Sequence, residues 1–183
     1  MVVSCWGSLG AREMNKKIAD FMVLASKNPQ MRHVHATGSY GWRWMPDYVK
    51  ERGLELDQCD NVEMREYLYD MPAAMAAAEL IICRGGAATI SEITVSATPA
   101  IIVPSPNVTD NHQEKNANVL AQCGGAVVIR EAECTGEKLY ETAVSLLQDK
   151  EKLAAMRRAL ADIAIVDATE RIVETVKELI KAP

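Results

Sequence analysis

The chain has no run approaching the ~20 apolar residues needed to cross a bilayer, and its opening MVVSCWGSLG lacks the charged, apolar and small-residue regions of a secretion signal. A cytoplasmic location is the expectation. Clustered positive charge is also missing. The 20 Lys and Arg residues are scattered among 25 Asp and Glu, giving a net charge of -5. No field is there to hold a polyphosphate backbone, which removes nucleic acid from the expected partners. The cysteines Cys5, Cys59, Cys83, Cys123 and Cys134 form an odd set without a CxxC or a close pair. That argues against both a disulfide framework and a zinc site, so no metal is expected. Cys5 and Cys83 sit inside apolar, strand-like runs and read as core thiols. Internal repeats and low-complexity linkers are absent as well.

What is present is a chain of 183 residues with 49% hydrophobic content, enough for one domain with a real core and too short for two of ordinary size. Short apolar runs bounded by turn residues alternate with longer segments of helical period. The strand candidates are Val2–Cys5, His33–Thr37, Asn61–Met64, Leu80–Cys83, Ala100–Val103 and Ala126–Ile129. VVSC, LIIC and AIIV are nearly continuous apolar runs, as expected of strands covered on both faces. Helices are expected over Arg12–Ser26, Met45–Arg52, Met71–Ala78, Thr89–Ser96, Asn111–Cys123, Thr135–Gln148, Glu151–Ala164 and Asp167–Lys181. Gly124 and Gly125 stand where the fifth of these needs a C-terminal cap, and Asp167 with Glu170 has the spacing of a capping box. This is the pattern of an α/β domain with a doubly wound, Rossmann-like parallel sheet, although strand order is not legible in it. In that class ligands sit beyond the carboxyl ends of the strands, which directs attention to the strand-to-helix loops.

The first loop, Cys5-Trp6-Gly7-Ser8-Leu9-Gly10-Ala11-Arg12, offers glycines, backbone amides and the Ser8 hydroxyl to an anion at a helix start, although glycine turns there also serve plain packing. The second, Arg84-Gly85-Gly86-Ala87-Ala88-Thr89-Ile90-Ser91-Glu92, repeats the arrangement with a hydroxyl at Thr89 and a helix dipole favouring negative charge. Glu92 lies one turn further in, where a carboxylate accepts from paired hydroxyls such as those of a ribose or simply complements the dipole. The third loop, Pro104 to Asn116, is stiffened by two prolines and carries a neutral polar cluster suited to a sugar, with His112 in a positioning role. In the fourth, Tyr67-Leu68-Tyr69-Asp70-Met71-Pro72, a flat base has room beside Leu68 and Met71 if those residues are not simply core. No catalytic residue emerges from these loops.

GSLGAR, YLYDM, CRGGAATISEI and NVTDNHQEKNA, in that order and at these separations, together with DATERI before the last helix, resemble the C-terminal, donor-binding domain of the MurG family. The resemblance covers essentially the whole chain. It implies one half of a two-domain GT-B enzyme, an inverting hexosyltransferase that moves N-acetylglucosamine from UDP-N-acetylglucosamine to a lipid-linked muramyl-pentapeptide in peptidoglycan synthesis. The donor is a substrate, and no cofactor is implied. Residue by residue, Ser8 and Gly10 would face the diphosphate, the Leu68 backbone would take the uracil with Met71 beside it, and Arg84 would support the second glycine loop. Ala87, Ala88, Thr89 and Ser91 would lie about the phosphates and sugar, Glu92 would hold the ribose, and Gln113 with His112 would read the transferred sugar. The chain departs from the family by carrying Trp6 where glycine is usual, and by lacking the N-terminal acceptor domain with its catalytic base. Residues 1–183 are therefore expected to form a single UDP-sugar domain that is inactive without a partner domain or subunit; full-length relatives lie on the inner face of the cell membrane. A nucleotide-sugar binding or regulatory module, the donor subunit of a split transferase and a sugar-nucleotide epimerase are the competing readings.

Overall fold

Strand β1, Val2–Cys5, is buried at every position and pairs on both sides with parallel neighbours. The computed structural model describes residues 1–7 and 10–181. The remaining strands are β2 (His33–Ala36), β3 (Val62–Arg65), β4 (Leu80–Cys83), β5 (Ala100–Ile102) and β6 (Ala126–Val128). They form one six-stranded parallel sheet in the order β3-β2-β1-β4-β5-β6. Strand order reverses between β1 and β4, so the loops leaving these two strands diverge to opposite faces and leave a crevice between them.

Nine helices are found among the described residues: α1 (Arg12–Ser26), α2 (Ser39–Trp42), α3 (Met45–Glu51), α4 (Met71–Ala77), α5 (Ala87–Ser96), α6 (His112–Gln122), α7 (Gly136–Gln148), α8 (Lys150–Asp162) and α9 (Ala168–Lys181). Eight of these follow the expected ranges closely. Helix α2 was not expected, because a single turn carries too few residues to show a period. β3 starts one residue later than expected because Asn61 acts as a clamp. Its Nδ2 donates to the carbonyls of Ala25, Asn28 and Met31 at 3.0, 2.9 and 2.9 Å. The expected glycine cap is present: Gly124 has φ +85°, its N–H reaches the Ala121 carbonyl at 3.0 Å, and the Gly125 N–H reaches that of Leu120 at 2.8 Å. Both bonds together make a Schellman ending. Asp167 instead directs its carboxylate to Arg171 Nε at 2.8 Å.

Alternation along the strands divides the core. Val2, Leu80, Ile82 and Ile101 face α1, α3 and α7, while Val3, Ile81, Cys83 and Ile102 face α4, α5 and α6. On the first face α1 contributes Met14, Ile18, Phe21, Met22 and Ala25, a stripe of helical period with every member buried. Helix α8 joins both sides, with Leu153 and Met156 in one cluster and Leu160 in the other. Helix α9 behaves differently. All side chains from Ala168 to Ile180 are exposed, and Ile172, Val173, Val176, Leu179 and Ile180 line one face of it uncovered. No helix among the described residues is long and apolar enough to cross a membrane.

Candidate functional site

A cleft of about 460 Å³ opens at the carboxyl ends of β1 and β4. Each of the four loops singled out in the sequence contributes to its lining: Trp6 and Gly7 from the first, Arg84, Gly86, Ala88, Thr89 and Glu92 from the second, Gln113 from the third, and Tyr67, Leu68 and Met71 from the fourth. Of the expected site residues, Leu68, Met71, Arg84 and Ala88 lie in its wall, as do Thr89, Glu92 and Gln113. Cys5 and Cys83, expected as core thiols, are buried and also floor this cleft.

The second glycine loop is fixed by close packing. A Cβ on Gly85 would stand 2.4 Å from the Gln113 carbonyl oxygen, so only glycine lets the β4 loop meet the start of α6. Asn116 Nδ2 donates to the Gly85 carbonyl at 3.0 Å across the same junction. Gly86 is the N-cap of α5 and no side chain caps this helix, which leaves its first-turn amides for a ligand or water. Ala88 and Thr89 from that turn line the cleft; Ala87 is exposed at the helix start. Ser91 turns its hydroxyl back onto the Ala87 carbonyl at 3.2 Å and does not line the cleft. Glu92 faces the cleft from an exposed position one turn on.

Gln113 presents its side chain in a defined orientation. Its Oε1 accepts the Ser105 N–H at 3.0 Å, which leaves the Nε2 hydrogens for another acceptor. His112 is exposed, outside the cleft lining, and holds its ring by donating from Nδ1 to the Thr109 carbonyl at 2.9 Å. Arg84 is a brace. Its Nη1 donates to the Val103 carbonyl at 3.0 Å, it pairs with Glu131, and its guanidinium lies 5.9 Å from the centre of the Trp6 ring. The Trp6 indole is only 5% exposed and packs into the core beneath Arg84, so its bulk does not stand over the glycine loop as an obstacle. Gly7, next in the chain, has φ +83° and open space around its α-carbon. Gly10 lies outside the cleft lining; its N–H donates to the Gly7 carbonyl at 3.1 Å, and a Cβ there would stand 2.2 Å from the Thr37 carbonyl oxygen. Ser8 lies outside the described residues.

Beneath this first loop runs a buried polar chain that the sequence did not suggest. Asn15 Nδ2 donates to the Thr37 carbonyl at 2.9 Å, so its Oδ1 is the acceptor facing His35 Nε2 at 3.2 Å. With the proton of His35 on Nε2, its Nδ1 accepts from the Ser4 hydroxyl at 2.7 Å, and the Ser4 carbonyl lies 3.2 Å from the same nitrogen. Ser4 Oγ in turn accepts from His33 Nε2 at 2.8 Å, leaving His33 Nδ1 without a proton or a partner. Both rings are fully buried. Burial is the main cause that holds His33 well below the ordinary histidine range, with His35 adding to it, and burial lowers His35 to about 3. Neutral imidazoles in this setting order a core and supply no base to the cleft.

The profile of the glycosyltransferase family 28 C-terminal domain matches residues 1–176. The chain belongs to this family. Among relatives with the name UDP-N-acetylglucosamine–N-acetylmuramyl-(pentapeptide) pyrophosphoryl-undecaprenol N-acetylglucosamine transferase, that of Desulforamulus reducens is 34% identical over 95% of this chain and 47% of its own length. That of Acetivibrio thermocellus is 38% identical over 99% of this chain and 48% of its own length. The chain thus spans about half the length of the curated relatives it matches. The crystal structure of Acinetobacter baumannii MurG superimposes with a TM-score of 0.78 at 26% identity, covering 97% of this chain and 51% of that one. The MurG resemblance and the GT-B, Rossmann-like fold class read from the sequence are both borne out.

In this family 28 domain, Trp6, Glu66 and Glu131 are the residues that sequence reasoning undervalued or missed. Glu131 neutralises Arg84 from the far side of the sheet edge, and Lys17 Nζ holds the Glu131 carbonyl at 2.6 Å. Nothing near Glu131 in the sequence marks that role. The partnership exists only because β4 and β6 flank β5.

Proposed function

We propose that the chain binds UDP-N-acetylglucosamine as the donor half of a glycosyltransferase that passes N-acetylglucosamine to a lipid-linked muramyl-pentapeptide. The observation that carries this reading is the convergence of Leu68, Met71, Thr89, Glu92 and Gln113, from separate loops, on one cleft at the switch point. Each group suits one part of such a donor. Leu68 offers backbone donors and acceptors to the uracil edge, and Met71 packs against its face. Glu92 accepts from the ribose hydroxyls, and the free Nε2 of Gln113 donates to a sugar hydroxyl. The uncapped amides of α5 meet the diphosphate, where helix dipole and N–H groups favour anions.

That last contact also bears on the chemistry. As the bond from the anomeric carbon to the leaving oxygen breaks, charge grows on the departing phosphate, and fixed amides aimed at it stabilise the transition state more than the ground state. The base for the acceptor hydroxyl must come from elsewhere, because His33 and His35 are buried and neutral and His112 stands outside the cleft lining. We assign it to the other half of the enzyme, for which the uncovered apolar face of α9 offers a contact surface. Calorimetric titration with UDP-N-acetylglucosamine, UDP and an ADP-sugar tests the donor assignment on the chain as it stands. Preference for the uridine ligands is expected, with modest affinity because residues 1–183 supply one wall of the cleft. Equal affinity for the ADP-sugar would remove the base assignment.

A further inference from the structure

Cys5 ends β1 and Cys83 ends β4, and the register of these neighbouring parallel strands runs Val2 to Leu80, Val3 to Ile81 and Ser4 to Ile82. One further step sets Cys5 beside Cys83. Both belong to the same side of the sheet, both thiols are free, and both floor the switch-point cleft. Cys5 is 9% exposed and Cys83 1%, so the first is the point of entry and the second lies behind it. Each thiol also feels the Glu92 carboxylate, which places the pair under the wall of the cleft.

We propose that Cys5 and Cys83 form a bidentate site for a soft, thiophilic centre of low coordination number, such as a trivalent arsenical. Distance decides between this and a disulfide. Neighbouring strands lie about 4.7–4.9 Å apart, and in-register side chains point the same way. A disulfide asks its β-carbons to approach to about 3.5–4.5 Å, which these strands do not offer without backbone movement. Two bonds of the usual thiolate–metal length, about 2.3 Å each, bridge the strand spacing without it. Thiolates select soft centres, and among the described residues no group of three or more His, Cys, Asp or Glu stands ready to complete the tetrahedral set of zinc.

With phenylarsine oxide as probe the reaction balances without an oxidant. Two arsenic–sulfur bonds form, two S–H bonds break, and both protons leave with the arsenical oxygen as water. Burial first, then Glu92, pushes the Cys5 thiol up to about 11, so entry is slow at neutral pH and accelerates about tenfold per pH unit as thiolate forms. The occupied floor displaces nucleotide from the cleft. This last consequence rests on the donor reading, whereas the dithiol site does not.

The test is intact-mass and peptide mapping of the folded chain after exposure to phenylarsine oxide. The expected result is one equivalent bridging the peptides that hold Cys5 and Cys83, removed by a dithiol but not by a monothiol. Cys5→Ala and Cys83→Ala should each lower the affinity at least about 100-fold, the usual gain of a two-point attachment over one. Mapping of the adduct to Cys59, Cys123 or Cys134 overturns the proposal, as does unchanged affinity in both variants. So does faster closure of a Cys5–Cys83 disulfide by diamide than uptake of the arsenical. Mapping on the unaltered chain keeps the test decisive if a variant fails to fold. UDP protection of the pair is read separately, so that a chain that takes the arsenical but not UDP refutes the donor reading alone.

Discussion

Lowering the pH from 7 to 5 should cost this domain much of its stability, and the two buried histidines supply the reason. His33 and His35 are neutral in the folded state, held below their ordinary range chiefly by burial, His35 to about 3. In the unfolded chain each returns to about 6.5 and takes up a proton as the pH falls. Folded pKa values below the unfolded ones mean that the stabilisation is complete above pH 6.5 and drains away as the pH drops toward the folded values. Each proton taken up on unfolding is worth about 1.36 kcal/mol per pH unit, which integrates to about 2 kcal/mol for His35 between pH 7 and 5, and His33 adds in the same direction. Glu79 is lowered to about 2, through the N-terminal ammonium and then Lys150, and its loss falls mostly below this window. With an m value of about 2 kcal/mol per molar, the urea midpoint should fall by at least about 1 M between the two pH values. Urea titrations followed by circular dichroism at pH 7, 6 and 5 check this. A change below about 1 kcal/mol at constant m would refute the reasoning, because the rings would then have to be protonated in the fold or water-accessible.

Three further outcomes follow from the cleft. Glu92→Ala should weaken UDP binding by about 1.5–3 kcal/mol, the scale of a hydrogen bond to a charged group, with an unchanged melting temperature; a lower melting temperature with normal calorimetric binding would make Glu92 a helix-start acid only. Gly85→Ala, which drives a methyl against the Gln113 carbonyl oxygen at 2.4 Å, should destabilise the fold by about 1–3 kcal/mol in urea denaturation and weaken UDP-N-acetylglucosamine in calorimetry. Sugar transfer to a lipid acceptor should be absent with this chain alone and appear when the acceptor half is added, since the reacting hydroxyl is otherwise not held in place. Robust turnover by the isolated chain, abolished by His112→Ala, would reverse the roles given to that residue and to the missing half.

Much of the fold was legible because its signals are local. The stripe of α1 and the apolar runs of β1, β4 and β5 each fall within a short window, and burial confirms them. The unread parts depend on neighbours far along the chain. Strand order decides that β1 lies beside β4, and only then do Cys5 and Cys83 become a pair. His33 and His35 alternate along one strand in the sequence, but their protonation is dictated by Ser4 and Asn15 from two other elements. Trp6 stands where the family usually has glycine, and its actual direction is set by the strand alternation that turns it toward the core. Among the site residues the sequence named, Leu68, Met71, Arg84, Ala88, Thr89, Glu92 and Gln113 reached the cleft. His112 Nδ1 and the Ser91 hydroxyl bond to backbone carbonyls nearby in the chain, a local choice that residue type does not reveal.

The junction of Gly85 with Gln113 makes two loops behave as one body. Because the backbone of one rests directly on the other, and Asn116 ties them again, a shift of the helix start proposed to meet phosphate would drag the amide proposed to meet sugar. Recognition of the two ends of a donor is then energetically reciprocal: whatever one end gains by settling into place, the other gains as well. On the proposed donor reading, such a domain would change its sugar preference less readily by moving Gln113 than by replacing it, since displacement would disturb the phosphate contact at the same moment.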